Sequence, residues 1–127
     1  MRKVLLVDDD VDFCEAAQIL LESKGYEVEV AHNGREGLEK VRSQHPDLVI
    51  LDVMMPEMNG YDVCVVLKAD PKLKRIPVIL LTAVDQAIFK TTYSQQMGLM
   101  TEADDYIAKP VEPEELVSRV QEFLPKE

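Results

Sequence analysis

The chain has 127 residues, of which 46% are hydrophobic and 30% charged, with a formal net charge of −10. This length supports one core and a single domain over residues 1–127, and the acidic balance argues against direct binding to nucleic acid or an anionic membrane, leaving a metal ion or a basic partner surface as counterparts. With no run approaching a membrane span, no signal peptide after Met1, and only Cys14 and Cys64 without metal-ligand spacing, the chain reads as cytoplasmic, its thiols buried in a reducing compartment.

The run Lys3–Val7 leads into Asp8, Asp9 and Asp10, and its Val4–Val7 core is continuously apolar, as a central strand covered on both faces requires. Phe13, Ala16, Ala17, Leu20 and Leu21 then recur at helical spacing, with Asp10 or Asp12 as cap and Gly25 as stop. Tyr26, Val28 and Val30 alternate with Glu27 and Glu29, which describes an edge strand with one wet face. Asn33-Gly34-Arg35-Glu36 resembles a capping box, opening a helix whose apolar stripe is Gly37, Leu38 and Val41. Asp47–Leu51 is a second central run and leads into Asp52. The loop Met54–Asn59, broken by Pro56 and capped by Asn59, precedes a third helix marked by Val63, Val66 and Leu67 and closed by Asp70-Pro71. Pro77–Leu81 is a third central strand running into Thr82. One further helix falls between Val84 and Asp105, with Gly98 as a break. Tyr106–Ala108 is the last strand and leads into Lys109. Pro113, at the first helical position, opens the final helix, which carries Leu116, Val117, Val120, Phe123 and Leu124. Pro125 stops it close to Glu127, which favours a stand-alone chain.

Alternating strands and helices predict parallel strands joined by right-handed crossovers. An edge second strand beside a central first one gives an α/β, flavodoxin-like, doubly wound sheet of five parallel strands in the order 2-1-3-4-5, flanked by five helices. In such a sheet the carboxyl ends of the strands share one edge, where ligands bind. Carboxylates, a hydroxyl and an amine are costly to bury there unless they meet. Asp8, Asp9, Asp52, Thr82 and Lys109 therefore predict one shared site. Three converging carboxylates resist full ionisation, and their all-oxygen character suits Mg²⁺, with Mn²⁺ as the alternative. One aspartate oxygen then serves as a nucleophile towards a phosphoryl group, with Thr82 and Lys109 neutralising its oxygens.

Five separated motifs carry a family resemblance: Val-Leu-Leu-Val-Asp-Asp at 4–9, Asp52-Val53-Met54-Met55-Pro56-Glu57-Met58-Asn59-Gly60, Thr82-Ala83, Ala103-Asp104-Asp105-Tyr106, and Lys109-Pro110. Over essentially its whole length the chain resembles the receiver (REC, CheY-like) domain of a bacterial two-component response regulator. The resemblance implies a phosphorelay protein in signal transduction, catalytic only on itself. Asp52 would accept a phosphoryl group from a sensor histidine kinase or phosphotransfer protein and become an aspartyl phosphate. Asp9, Asp52 and the backbone carbonyl of Met54 would bind Mg²⁺ directly, and Asp8 through water. Thr82 and Lys109 would hold the phosphoryl oxygens, and Lys109-Pro110 would be cis. Tyr106 would be the aromatic switch, turning inward as Thr82 moves. The face made by the fourth helix, fifth strand and last helix would then engage an output protein whose identity the sequence does not give.

The chain also departs from the family pattern. Met54 and Val84 are apolar where a carboxamide or acid often orients an attacking water, which predicts slow self-dephosphorylation. The interval from Thr82 to Lys109 is longer than usual, and Glu102 stands where glycine is common. Asp104, Glu115 and Arg119 resemble residues that pair across a regulator dimer, but Thr101 and Glu122 do not complete that set, so a monomer or a weak phosphorylation-dependent dimer is expected. Plainer roles compete elsewhere. Asp10 reads as a helix cap, Asp104 and Asp105 as a solvated turn or partner contacts, His32 and His45 as surface residues, and Met54, Met55 and Met58 as packing. Alternative functions are a haloacid-dehalogenase-like phosphatase reading Asp8-x-Asp10 as its nucleophile motif, a flavodoxin-like nucleotide binder, and a non-phosphorylated interaction module on a receiver fold.

Overall fold

The computed structural model describes residues 2–55, 57–82 and 103–125. Its elements in chain order are β1 (Lys3–Val7), α1 (Val11–Ser23), β2 (Glu27–Ala31), α2 (Gly34–Gln44), β3 (Leu48–Asp52), α3 (Gly60–Ala69), β4 (Val78–Thr82), β5 (Asp105–Ala108) and α4 (Pro113–Phe123). All strand pairs are parallel, in the order β2-β1-β3-β4-β5. The expected sheet is therefore the observed one, with β2 at an edge. The helix expected between Val84 and Asp105, together with Ala83, Thr101, Glu102 and the Pro56 break, lies outside the described residues.

The apolar runs alternate between two layers because successive strand side chains point to opposite faces. Val4, Leu6, Leu48, Ile50, Ile79, Leu81 and Ile107 pack in one cluster with Ala17 and Leu21 of α1 and Leu116 and Val120 of α4. Leu5, Val7, Val49, Leu51, Val78 and Leu80 pack in the other with Leu38 and Val41 of α2 and Val63 and Leu67 of α3. Both faces of the central strands are thus dry, which is why their sequences show no polar alternation.

Strand ends sit one residue later than expected at two decisive places. Asp52 and Thr82 are the last residues of β3 and β4 and do not follow them. Asp52 pairs in register with Leu81, and Thr82 with Ala108. Both side chains are therefore oriented by the sheet itself. Asp105 likewise belongs to β5, in register with Ile79.

The helix caps follow local chemistry. Asp10, not Asp12, caps α1 by accepting from the Phe13 N–H at 3.1 Å. Lys24 is the C-cap of α1, and the following Gly25 takes φ +95°, the left-handed turn that favours glycine. Asn33 accepts from the Glu36 N–H at 2.8 Å, while the Glu36 carboxylate reaches past the cap to the His32 N–H at 2.8 Å. That is a capping box displaced by one residue. Asn59 caps α3 through the Asp62 N–H, and α4 starts with proline and without a side-chain cap bond.

Candidate functional site

At the carboxyl edge of the sheet, ligand oxygens of Asp8, Asp9 and Asp52 all lie within 4.8 Å of one another. Asp8 and Asp52 are buried and Asp9 is exposed. Just after β5, the Lys109 Nζ lies 3.2 Å from Asp8 Oδ2 and 3.2 Å from Asp52 Oδ1. The Lys109-Pro110 bond is cis, as the resemblance implied. Asp52 shares the strand parity of Leu48 and Ile50, so it emerges on the α1 and α4 side of the sheet. Thr82 has the parity of Val78 and Leu80, the opposite side. Its Oγ1 is buried and makes no hydrogen bond among the described residues. A buried hydroxyl without a partner is costly, and at this edge it presents an unused donor.

Asp8 is held along its whole length. Its N–H donates to Ala31 O at 3.0 Å, its Oδ1 accepts from the Asp10 N–H at 2.9 Å, and its Oδ2 accepts from Lys109. Its carbonyl oxygen lies 3.4 Å from the Cys14 thiol and 3.0 Å from His32 Nδ1. The Asp10 carboxylate is turned to its cap, which gives no support to an Asp8-x-Asp10 nucleophile pair.

The electrostatics follow from this crowding. Burial first, and the neighbouring Asp8 second, push Asp52 up to about 6, although Lys109 pulls the other way. Burial alone would lower Lys109, but the carboxylates of Asp8 and Asp52 outweigh it and raise it. The Cys14 thiol is driven up to about 12, by burial above all and then by Asp8, so it behaves as an inert small hydrophobe. Both cysteines are buried and neither is in a disulfide, as expected.

The remaining predicted residues are distributed around this cluster. Met54, in the loop after β3, is 62% exposed and does not pack, whereas Met55 and Met58 do lie against the α2 and α3 cluster. Tyr106 is half-buried against the same cluster. Asp104 and Asp105 are not a free turn. Asp104 Oδ2 accepts from the Val78 N–H at 2.8 Å and from Lys68 Nζ at 3.0 Å, and Asp105 pairs with Arg119 at 2.7 Å. Asp104 and Arg119 thus have partners within the chain. His45 is an exposed helix end, but His32, also exposed, has its ring against Asp8. Sequence reasoning missed that contact. The signal available was register: Ala31 lies beside Val7, so the residues that follow each, His32 and Asp8, are neighbours.

The donor set consists of oxygens and is compact, with one cation against it, and the neighbouring strand β4 ends at the same edge on an unused hydroxyl. It fits a small hard cation together with an anionic group. A family model described as "Response regulator receiver domain" matches residues 4–121. Among curated relatives, the DNA-binding response regulator MtrA of Mycobacterium tuberculosis is 43% identical over 123 residues, covering 97% of this chain and 50% of MtrA. The alkaline phosphatase synthesis transcriptional regulatory protein PhoP of Bacillus subtilis is 38% identical, with coverage of 97% and 48%. The chain thus spans about half the length of these curated relatives. Among solved structures, the signal receiver domain of a signal transduction histidine kinase from Syntrophus aciditrophicus superposes with a TM-score of 0.83 at 38% identity, covering 98% of this chain and 90% of that one. Chemotaxis response regulator CheY4 of Vibrio cholerae does so with 0.83 at 32% identity, covering 98% and 99%.

Proposed function

The chain belongs to the response regulator receiver domain family, and from that premise we propose that Asp52 is its phosphoryl acceptor, with residues 1–127 acting as one regulatory unit. The observation that carries this reading is the meeting of Asp8, Asp9 and Asp52 with Lys109 at the edge where β4 ends on Thr82, whose hydroxyl has no partner among the described residues. Asp8, Asp9, Asp52 and the carbonyl of Met54 would hold Mg²⁺ (or Mn²⁺), with Asp8 acting through water. Such a cation supplies charge neutralisation where carboxylates and phosphoryl oxygens come together.

The chain's own residues do the rest. An Asp52 carboxylate oxygen forms the new O–P bond as the bond from phosphorus to the donor's leaving group breaks, and the leaving group departs with that electron pair. A phosphohistidine of a sensor kinase or phosphotransfer protein is the matching donor. Lys109 Nζ, already at the Asp52 oxygen, offers a cation to the phosphoryl oxygens, and Thr82 Oγ1 offers the hydrogen bond it does not otherwise make. A shift of Thr82 towards that group would let Tyr106 turn inward and alter the surface around β5 and α4 for an output partner. The exposed Met54 gives no hydrogen bond to orient water, so the acyl phosphate would be lost slowly. With a net charge of −10, this unit itself makes no direct contact with nucleic acid or membrane.

Incubation with Mg²⁺ and acetyl phosphate, followed by intact mass measurement, tests the reading. Gain of one phosphoryl group, abolished in Asp52→Asn, is the expected result. Absence of any gain in a wild type that binds Mg²⁺ would reject it. Following phosphate release without a phosphatase tests the slow step, and rapid loss would reject that part alone.

A further inference from the structure

The peptide joining Asp8 to Asp9 is one rigid plane, so its carbonyl and the direction in which Asp9 leaves it move together. Asp8 is fixed on both carboxylate oxygens and on its N–H. Asp9 is exposed, and its carboxylate has no hydrogen-bond or ion-pair partner among the described residues. The aim of Asp9 is therefore set chiefly by that peptide plane. Two side chains hold the plane through the Asp8 carbonyl, His32 Nδ1 at 3.0 Å and the Cys14 thiol at 3.4 Å. A thiol is a weak donor, and an imidazole N–H is the stronger restraint.

The imidazole stands on a firm base. The His32 N–H donates to Glu36 Oε1 at 2.8 Å, and the Glu36 N–H donates to Asn33 Oδ1 at 2.8 Å. Lys40 Nζ lies 3.9 Å from Glu36 and donates to Val30 O at 2.7 Å. The end of β2 and the start of α2 are thus locked together through main-chain groups, and the ring projects from that lock onto Asp8.

We infer that His32 is a positioning residue for the metal site: donation from its Nδ1–H to the Asp8 carbonyl fixes the Asp8–Asp9 peptide so that Asp9 faces Asp8 and Asp52. The inference rests on the reading of these aspartates as Mg²⁺ ligands. The proton sits on Nδ1 in this role, because a carbonyl oxygen only accepts. Partners that orient ligands in this way typically change metal affinity about 10- to 100-fold when removed.

The test is Mg²⁺ binding to the full chain at pH 8, followed by calorimetry and by the Mg²⁺-dependent shift of the Asp9 backbone amide. The proteins are wild type, His32→Ala, His32→Asn and Asp9→Asn. His32→Ala should bind roughly tenfold more weakly, with a displaced Asp9 amide signal in the metal-free protein. His32→Asn places an amide N–H near the position of Nδ1 and should restore affinity to within about threefold of wild type. Neither variant removes the main-chain N–H that Glu36 accepts, so the α2 cap is kept. Unchanged affinity in His32→Ala, with weakened binding in Asp9→Asn, would overturn the role of His32 and leave the metal site standing. Equal weakening in the alanine and asparagine variants would also overturn it, since the donor would then not matter. Absence of Asp9-dependent binding in wild type would reject the metal site and this inference with it.

Discussion

The Lys109 ammonium stands 3.2 Å from Asp52 Oδ1 while also 3.2 Å from Asp8 Oδ2, so one cation faces two buried carboxylates. Its raised pKa keeps it charged throughout the neutral range. Replacing it with methionine, which keeps the stem, leaves the two anions uncompensated. Lys109→Met should therefore destabilise the metal-free protein at pH 8 by about 1–3 kcal/mol, a figure below that for fully buried pairs because Lys109 is partly exposed. The loss should shrink at pH 5, where Asp52 takes up a proton. Denaturant unfolding at the two pH values measures the difference.

Asp52 titrates the opposite way from a salt-bridged surface carboxylate. Its folded pKa, about 6, lies above the reference value of 3.8. The protonated form is thus favoured by folding, and the associated stability is complete below the unfolded pKa and lost as the pH rises through about 6. Asp52→Asn should stabilise the metal-free protein at pH 8, on the order of 1–3 kcal/mol, and have little effect near pH 4. Magnesium ion should stabilise wild type more than Asp52→Asn, and its apparent affinity should fall as the pH drops through 6 because protons compete. Thermal unfolding against pH, with and without Mg²⁺, checks all three.

The sheet and its order were readable because the two buried faces leave an unmistakable mark, the unbroken apolar runs at Val4–Val7, Leu48–Leu51 and Val78–Leu81. Strand-end identities then made Asp8, Asp52 and Lys109 legible, since charged groups at dry strand ends require one another. Contacts made by side chains reaching main chain were not legible. His32 on the Asp8 carbonyl and Asp104 on the Val78 N–H depend on register and backbone direction, which residue type alone does not encode. Asp104 looked solvated because its sequence neighbours are polar, yet its carboxylate closes a bond across the sheet.

Lys68 and Asp104 form a clamp at the amino end of β5. The Lys68 side chain is only 9% exposed, and its Nζ donates to Lys74 O at 3.1 Å, Ile76 O at 2.9 Å and Asp104 Oδ2 at 3.0 Å. Asp104 also donates its N–H to Val78 O. Lys68→Met removes all three donations at once and should cost about 2–4 kcal/mol. Asp104→Asn keeps an acceptor for Val78 and should cost about 1 kcal/mol. Because they share a bond, the double variant should be less destabilised than the two singles added together. Strict additivity in a denaturant double-mutant cycle would show that the pair does not act as a unit.

The loop after Asp52 is shaped by glycines that admit no side chain, and this separates steric from conformational cost. A Cβ on Gly34, at the start of α2, would lie 1.9 Å from the Met58 carbonyl oxygen. Main chain cannot swing aside as a flexible side chain can, so Gly34→Ala must move the Met58 segment or the α2 terminus. Gly25 is the opposite case: a Cβ there meets nothing within 4 Å, but φ is +95°. Gly25→Ala should cost about 1–2 kcal/mol through backbone strain, and Gly34→Ala about 1–3 kcal/mol or more through overpacking. The discriminating measurement is function. Gly34→Ala displaces the segment that follows β3, so it should weaken Mg²⁺ binding and slow phosphorylation by acetyl phosphate. Gly25→Ala, at the opposite end of α1 from Asp10, should leave both near wild type. Equal effects of the two substitutions on Mg²⁺ binding, at matched stability, would show that the Gly34–Met58 contact does not transmit to the site.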